Sequence, residues 1–156
     1  MEQISIKQKL TQAQQGIWLA ETLGQSGSDF NTAEYVEING HVQVDVLIEA
    51  ITQTMMEAEG LYTTFKQETD HVSQILNKPF QPSIDLLDMS KEEDPHEAAF
   101  LWMEKSRTET QFSFAEGPLF QLALLKVGEE TYYWYLCIHH LVIDGYGYTL
   151  LGESHC

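Results

Sequence analysis

Basic residues are scarce in this chain. Lys plus Arg total 8 against 24 Asp plus Glu, a formal charge of -16, and Arg107 is the single arginine. A surface so short of cations has no basic patch for phosphate backbones or anionic headgroups, which argues against nucleic-acid and membrane partners. Cysteine is scarce too. Cys137 lies in an apolar run and Cys156 is terminal, so the two make no disulfide framework. A reducing, cytoplasmic setting is expected. No apolar run approaches the length of a membrane-spanning helix. Met1 to Lys9 lacks the apolar stretch of a signal peptide. Internal repeats and low-complexity segments are absent.

What is present is globular. The 156 residues, 43% of them hydrophobic, suit one domain over 1–156 with one sizeable core. Thr11 reads as the cap of a helix with Ile17, Trp18, Leu19 and Leu23 on its apolar side. Glu34 to Ile38 alternates like a strand and stops at Asn39-Gly40. Val44 to Ala58 spaces Val46, Leu47, Ala50, Ile51, Met55 and Ala58 like one helix face. Leu61–Phe65 and Val72–Leu76 read as a hairpin, and Ile84 to Leu87 as a short strand. Pro95 to Thr108 reads as a second long helix, with Ala98, Ala99, Leu101, Trp102 and Met103 inward. Leu119 to Val127 and Thr131 to Ile138 are two long strands, the second apolar on both alternations and so expected inside a sheet. A third helix is expected from Gly145 to Leu151. This order favours an α+β two-layer sandwich over a doubly wound sheet.

The densest chemistry follows the last strand, at His139-His140-Leu141-Val142-Ile143-Asp144-Gly145. Neighbours on a strand face opposite ways, so His139 and His140 are expected to act separately. Asp144 can fold back to fix the loop, and Gly145 permits a backbone conformation closed to other residues. Three readings stand. One histidine is a satisfied core residue and the other lies at the surface; or His139, His140, Asp144 and Cys137 hold a metal; or a neutral imidazole acts as general base. Strand alternation splits the ligands of the metal reading, and the spacing does not fit structural zinc sites.

His139 to Gly145 spells His-His-x-x-x-Asp-Gly, which resembles the motif of the condensation domains of nonribosomal peptide synthetases. Two further segments agree in order. Leu10 to Trp18 is similar to the family's opening Ser/Thr-x-Ala-Gln run, and Glu59-Gly60-Leu61-Tyr62-Thr63-Thr64-Phe65 to its Glu-x-Leu-Arg-Thr-x-Phe. Gly16-Ile17-Trp18, Asn31 to Tyr35 and Asp144-Gly145-Tyr146-Gly147 look most like the first condensation domain of catecholate siderophore synthetases of the bacillibactin and enterobactin type. The resemblance implies one lobe of a chloramphenicol acetyltransferase-like pair with a tunnel between the lobes. Phosphopantetheine arms of aryl and peptidyl carrier proteins would enter from opposite faces, with no cofactor bound directly. It implies His140 as the catalytic residue. His139 and Asp144 support it, Asp144 by pairing with an arginine from a later region, and Gly145 lines the site.

Two departures are visible. Tyr62 stands where the family usually has arginine, and Glu57-Ala58 where Arg-His is common. The chain also reads as an N-terminal lobe without its C-terminal partner lobe. That leads us to expect an inactive lobe that self-associates, most simply as a twofold dimer. Two alternatives use the same residues. His139 to Asp144 also spells the His-x-x-x-x-Asp of glycerolipid acyltransferases, and a folded lobe can be a non-catalytic interaction module.

Overall fold

The computed structural model describes residues 6–24 and 27–143. A four-stranded sheet organises the chain, in the order β2 (Asn31–Asn39), β7 (Thr131–His139), β6 (Phe120–Lys126), β5 (Ile84–Asp88). β7 is therefore an interior strand, as its two-sided apolar pattern requires. Its neighbours β2 and β6 run antiparallel to it, while β5 and β6 are parallel. A parallel pair needs a crossover, and α3 (Pro95–Glu109) supplies it. A second sheet has the order β1 (Ile6–Lys9), β4 (Val72–Leu76), β3 (Thr63–Gln67). Among the described residues, helices α1 (Gln12–Thr22) and α2 (Val44–Glu57), the single turn α4 (His140–Val142) and 3-10 turns at Gly27–Phe30 and Glu59–Tyr62 make up the rest of the regular structure. It is the expected α+β fold.

Strand register explains the two cores. Phe120 is opposite Ile138 and Leu122 opposite Leu136, and this face packs on Ile51 and Met55 of α2 and on Leu61, Tyr62 and Phe65. Ala123 is opposite Tyr135 and Leu125 opposite Tyr133, and this opposite face packs on Ala99 and Met103 of α3. Local signals set the helix starts. Thr11 and Gln14 form a reciprocal capping box on α1, and Asp94 caps α3 with Pro95 in its first turn.

Several expectations need correcting. β1 has no counterpart in the sequence reading, because four exposed residues carry no alternation to detect. Leu61 and Tyr62 lie in a 3-10 turn, Glu59–Tyr62, and β3 begins only at Thr63. Both side chains are buried, so their apolar character reflects core packing and not a strand. On α1, Leu19 and Leu23 are 59% and 73% exposed, and the fully buried residue is Gln14. On α3, Leu101 is exposed, and on α2, Val46 and Ala50. Each helix buries a narrower stripe than its apolar residues suggested. The expected helix from Gly145 to Leu151 lies outside the described residues.

Candidate functional site at the end of the central strand

The histidines sit where β7 gives way to α4. His139 is the last strand residue, paired opposite Asn31 of β2, and its amide donates to the Leu119 carbonyl at 3.0 Å. His140 opens α4. The pair therefore spans a strand-to-helix junction and does not lie along one continuous strand. His139 is 1% exposed and His140 half-buried.

Two contacts define the protonation of His139. The Leu141 amide donates to Nδ1 at 3.1 Å, so Nδ1 is an acceptor and carries no proton. The proton is then on Nε2, which donates to Glu21 Oε1 at 3.0 Å. Burial pushes the His139 pKa below the ordinary histidine value, against the pull of the Glu21 carboxylate; nearby His140 also lowers it. The rings of Phe30 and Phe114, with centroids 6.2 and 5.0 Å away, belong to that apolar surround. The Glu21 contact is thus a hydrogen bond from a neutral imidazole to a carboxylate.

Gln14 completes the junction. Its Nε2 donates to the Leu141 carbonyl at 2.8 Å and to Gln74 Oε1 at 3.0 Å, while its Oε1 accepts from the Thr11 amide at 2.9 Å. Gln74 in turn donates to the Lys9 carbonyl at 2.9 Å. One buried amide side chain joins α1, the three-stranded sheet and the histidine turn. Gln14 closes the Ser/Thr-x-Ala-Gln run at Thr11 to Gln14, a resemblance that gives it no role, and Glu21 lies outside that run. The signal was there: two polar residues two helical turns apart on one side of an amphipathic helix.

The structure brings His139 and His140 together on one junction. Asp144 and Gly145 lie outside the described residues, and the bonding expected of Asp144 lies there with them. Cys137, of the metal reading, is fully buried two residues before His139, its thiol pKa pushed up by burial. Among the described residues, no His, Cys, Asp or Glu cluster could hold a metal ion. Nor is any helix among them long and apolar enough to cross a membrane.

The condensation-domain family matches residues 5–155. The chain belongs to that family. It is 36% identical over 148 residues, 95% of the chain, to a dimodular nonribosomal peptide synthase of Bacillus subtilis, of which it covers 6%. It is 29% identical over 146 residues, 93% of the chain, to enterobactin synthase component F of Escherichia coli, of which it covers 11%. The starter condensation domain of rhizomide synthetase superposes with a TM-score of 0.82 at 34% identity, covering 95% of this chain and 37% of that one. The first condensation domain of the calcium-dependent antibiotic synthetase gives 0.76 at 28% identity, covering 86% and 33%. This condensation-domain chain thus spans about a third of the solved domains and a small part of the curated synthetases.

Within the family, Tyr62 has a clear place here. It is buried, with the rings of Phe80 and Phe120 edge-on at 4.9 and 5.4 Å. A ring fills core space at the position where the family motif usually carries a charge.

Proposed function

We propose that this chain is the first lobe of a domain that joins a carrier-bound acyl group to a carrier-bound amino acid, with His140 as the reacting base. The reading is carried by the histidine junction: a buried, neutral His139 is spent on structure, which leaves His140 as the half-buried imidazole of the pair. In the reaction the acceptor amine attacks the donor thioester. A C–N bond forms, the C–S bond breaks, and His140 takes the amine proton and returns it to the departing sulfur of the phosphopantetheine arm, which leaves as a thiol. No cofactor need bind this chain directly. A variant of the rhizomide starter domain solved in complex with C8-CoA and Leu-SNAC pairs an acyl donor with an amino-acid acceptor, which supports the reading.

The same chain fits a siderophore setting. That setting is supported by the segments around Trp18 and Tyr35 and by the match to enterobactin synthase component F. The donor would then be a dihydroxybenzoyl group on an aryl carrier, and the acceptor an amino acid, glycine in a bacillibactin-type enzyme. We place the reaction in the cytoplasm, where carrier-loaded intermediates are made. The lobe alone supplies one wall of the tunnel and is inactive, because positioning two arms is most of what such a catalyst contributes. In a two-lobe domain that carries this chain, His140→Ala should cut amide formation by about 100-fold or more. A conservative change of His139 should cost less. Equal losses would reverse the roles, a larger loss at His139 would favour the His-x-x-x-x-Asp reading, and turnover by the lobe alone above its His140→Ala control would refute its inactivity. A donor preference for C8-acyl over dihydroxybenzoyl would remove the siderophore assignment.

A further inference from the structure

Helix α1 lays two polar side chains on the histidine turn. Gln14 and Glu21 are seven positions apart, so they project from one face two turns apart. Gln14 takes the Leu141 carbonyl directly. Glu21 takes His139 Nε2–H, and His139 Nδ1 takes the Leu141 amide. Both backbone groups of Leu141 therefore lead back to α1, one through a single hydrogen bond and one through His139. Leu141 directly follows His140, so holding its peptide groups holds the backbone from which the His140 side chain departs. Gln14, His139 and Leu141 are buried, and the Glu21 carboxylate side chain is 8% exposed. An amide and a carboxylate in an apolar core lower stability unless each has a partner of fixed geometry. Packing alone would be served by leucine at either position.

We infer that Gln14 and Glu21 are positioning residues for His140, acting through Leu141, with Glu21 selecting the Nε2–H tautomer of His139. Its catalytic meaning rests on the reading of His140 as the reacting base; its structural content does not. The arrangement is the familiar logic of a carboxylate orienting an imidazole, moved one residue away from the reacting ring.

Nitrogen-15 NMR of the histidine-labelled chain tests it without any turnover. His139 should appear as the neutral Nε2–H tautomer, with an Nε2 proton slow to exchange. Glu21→Gln keeps a carbonyl acceptor and should keep that tautomer, whereas Glu21→Leu should mix the two. The Leu141 amide should exchange about tenfold faster or more in Glu21→Leu and in Gln14→Leu. An Nδ1–H tautomer in the unaltered chain overturns the inference outright, whether or not any variant folds. So do an unchanged tautomer and exchange rate in a folded Glu21→Leu chain. In the two-lobe domain, Glu21→Leu should lower kcat with little change in the donor KM, and Glu21→Gln should restore most of it. If His140→Ala leaves amide formation intact, the catalytic reading fails while the NMR result stands. If His140→Ala abolishes turnover and Glu21→Leu does not touch kcat, the positioning fails and the catalytic reading stands.

Discussion

Tyr62 carries a buried hydroxyl with no hydrogen-bond partner among the described residues, and burial pushes its pKa up. An unpaired buried hydroxyl costs desolvation without return. Tyr62→Phe keeps both edge-on ring contacts and should stabilise the chain by about 1 kcal/mol, read as a higher urea midpoint at constant slope. A lower midpoint would mean that the hydroxyl has a water or another partner after all. His139 offers a second test, through pH. Its folded pKa lies below the ordinary value of 6.5, mainly because burial disfavours the cation. The unfolded chain therefore binds the proton first as pH falls. The stability tied to the neutral ring is intact above about pH 6.5 and is lost as pH falls through the depressed folded value. In His139→Asn the Oδ1 can still accept from Leu141. Its unfolding free energy should decline less between roughly pH 7 and 5 than that of the parent. Parallel declines would show that His139 does not titrate with folding.

At the scale of elements, the site depends on how edge pieces are tied to the central strand. β2 is the edge strand beside β7, and its first residue, Asn31, is paired opposite His139. The Asn31 side chain is buried. Its Nδ2 donates to the carbonyls of Arg107 and Thr110 at 3.0 and 2.8 Å, at the C-terminal end of α3. The last carbonyls of a helix have no partner within it, so this side chain both closes α3 and fixes it to β2. Asn31→Ala should cost about 2 kcal/mol of stability. It should also raise hydrogen exchange in the last turn of α3 ahead of that in β7. A loss spread evenly over the chain would show that Asn31 serves global packing instead. The opposite edge, β5, rests on β6 through parallel pairing and leaves Leu86 exposed.

Over the whole molecule, charge opposes association and exposed apolar side chains favour it. The formal charge of -16 sets identical copies against one another. Leu19 and Leu23 on α1, Tyr35 and Val36 on β2 and Leu86 on β5 are all solvent-exposed. Repulsion between copies is largely screened above about 0.1 M salt, whereas apolar burial is not weakened by it. Sedimentation should therefore show monomer at low salt and a growing twofold dimer at moderate salt. A strictly monomeric species at high protein concentration and moderate salt would refute self-association.

By itself the sequence determined features whose cause lies within a few residues and leaves a periodic or capping signal. The interior strand β7 follows from its two-sided apolar run, the start of α1 from Thr11, and the start of α3 is read at Pro95. The bounds of β4 match the reading of Val72 to Leu76, and the histidine pair was legible as a motif. What only the tertiary structure decided has its cause far along the chain. Gln14 meets Leu141 across 127 positions and Glu21 meets His139 across 118, so the shared helix face is legible locally but neither bonding partner is. The same holds for the exposure of Leu19, Leu23 and Leu101: a helical period says which residues share a face, not how much of that face a neighbour covers. The tautomer of His139 belongs to this second class. It is set by one hydrogen bond from the adjoining turn and one to a helix at the other end of the sequence, and only the folded chain brings the two together.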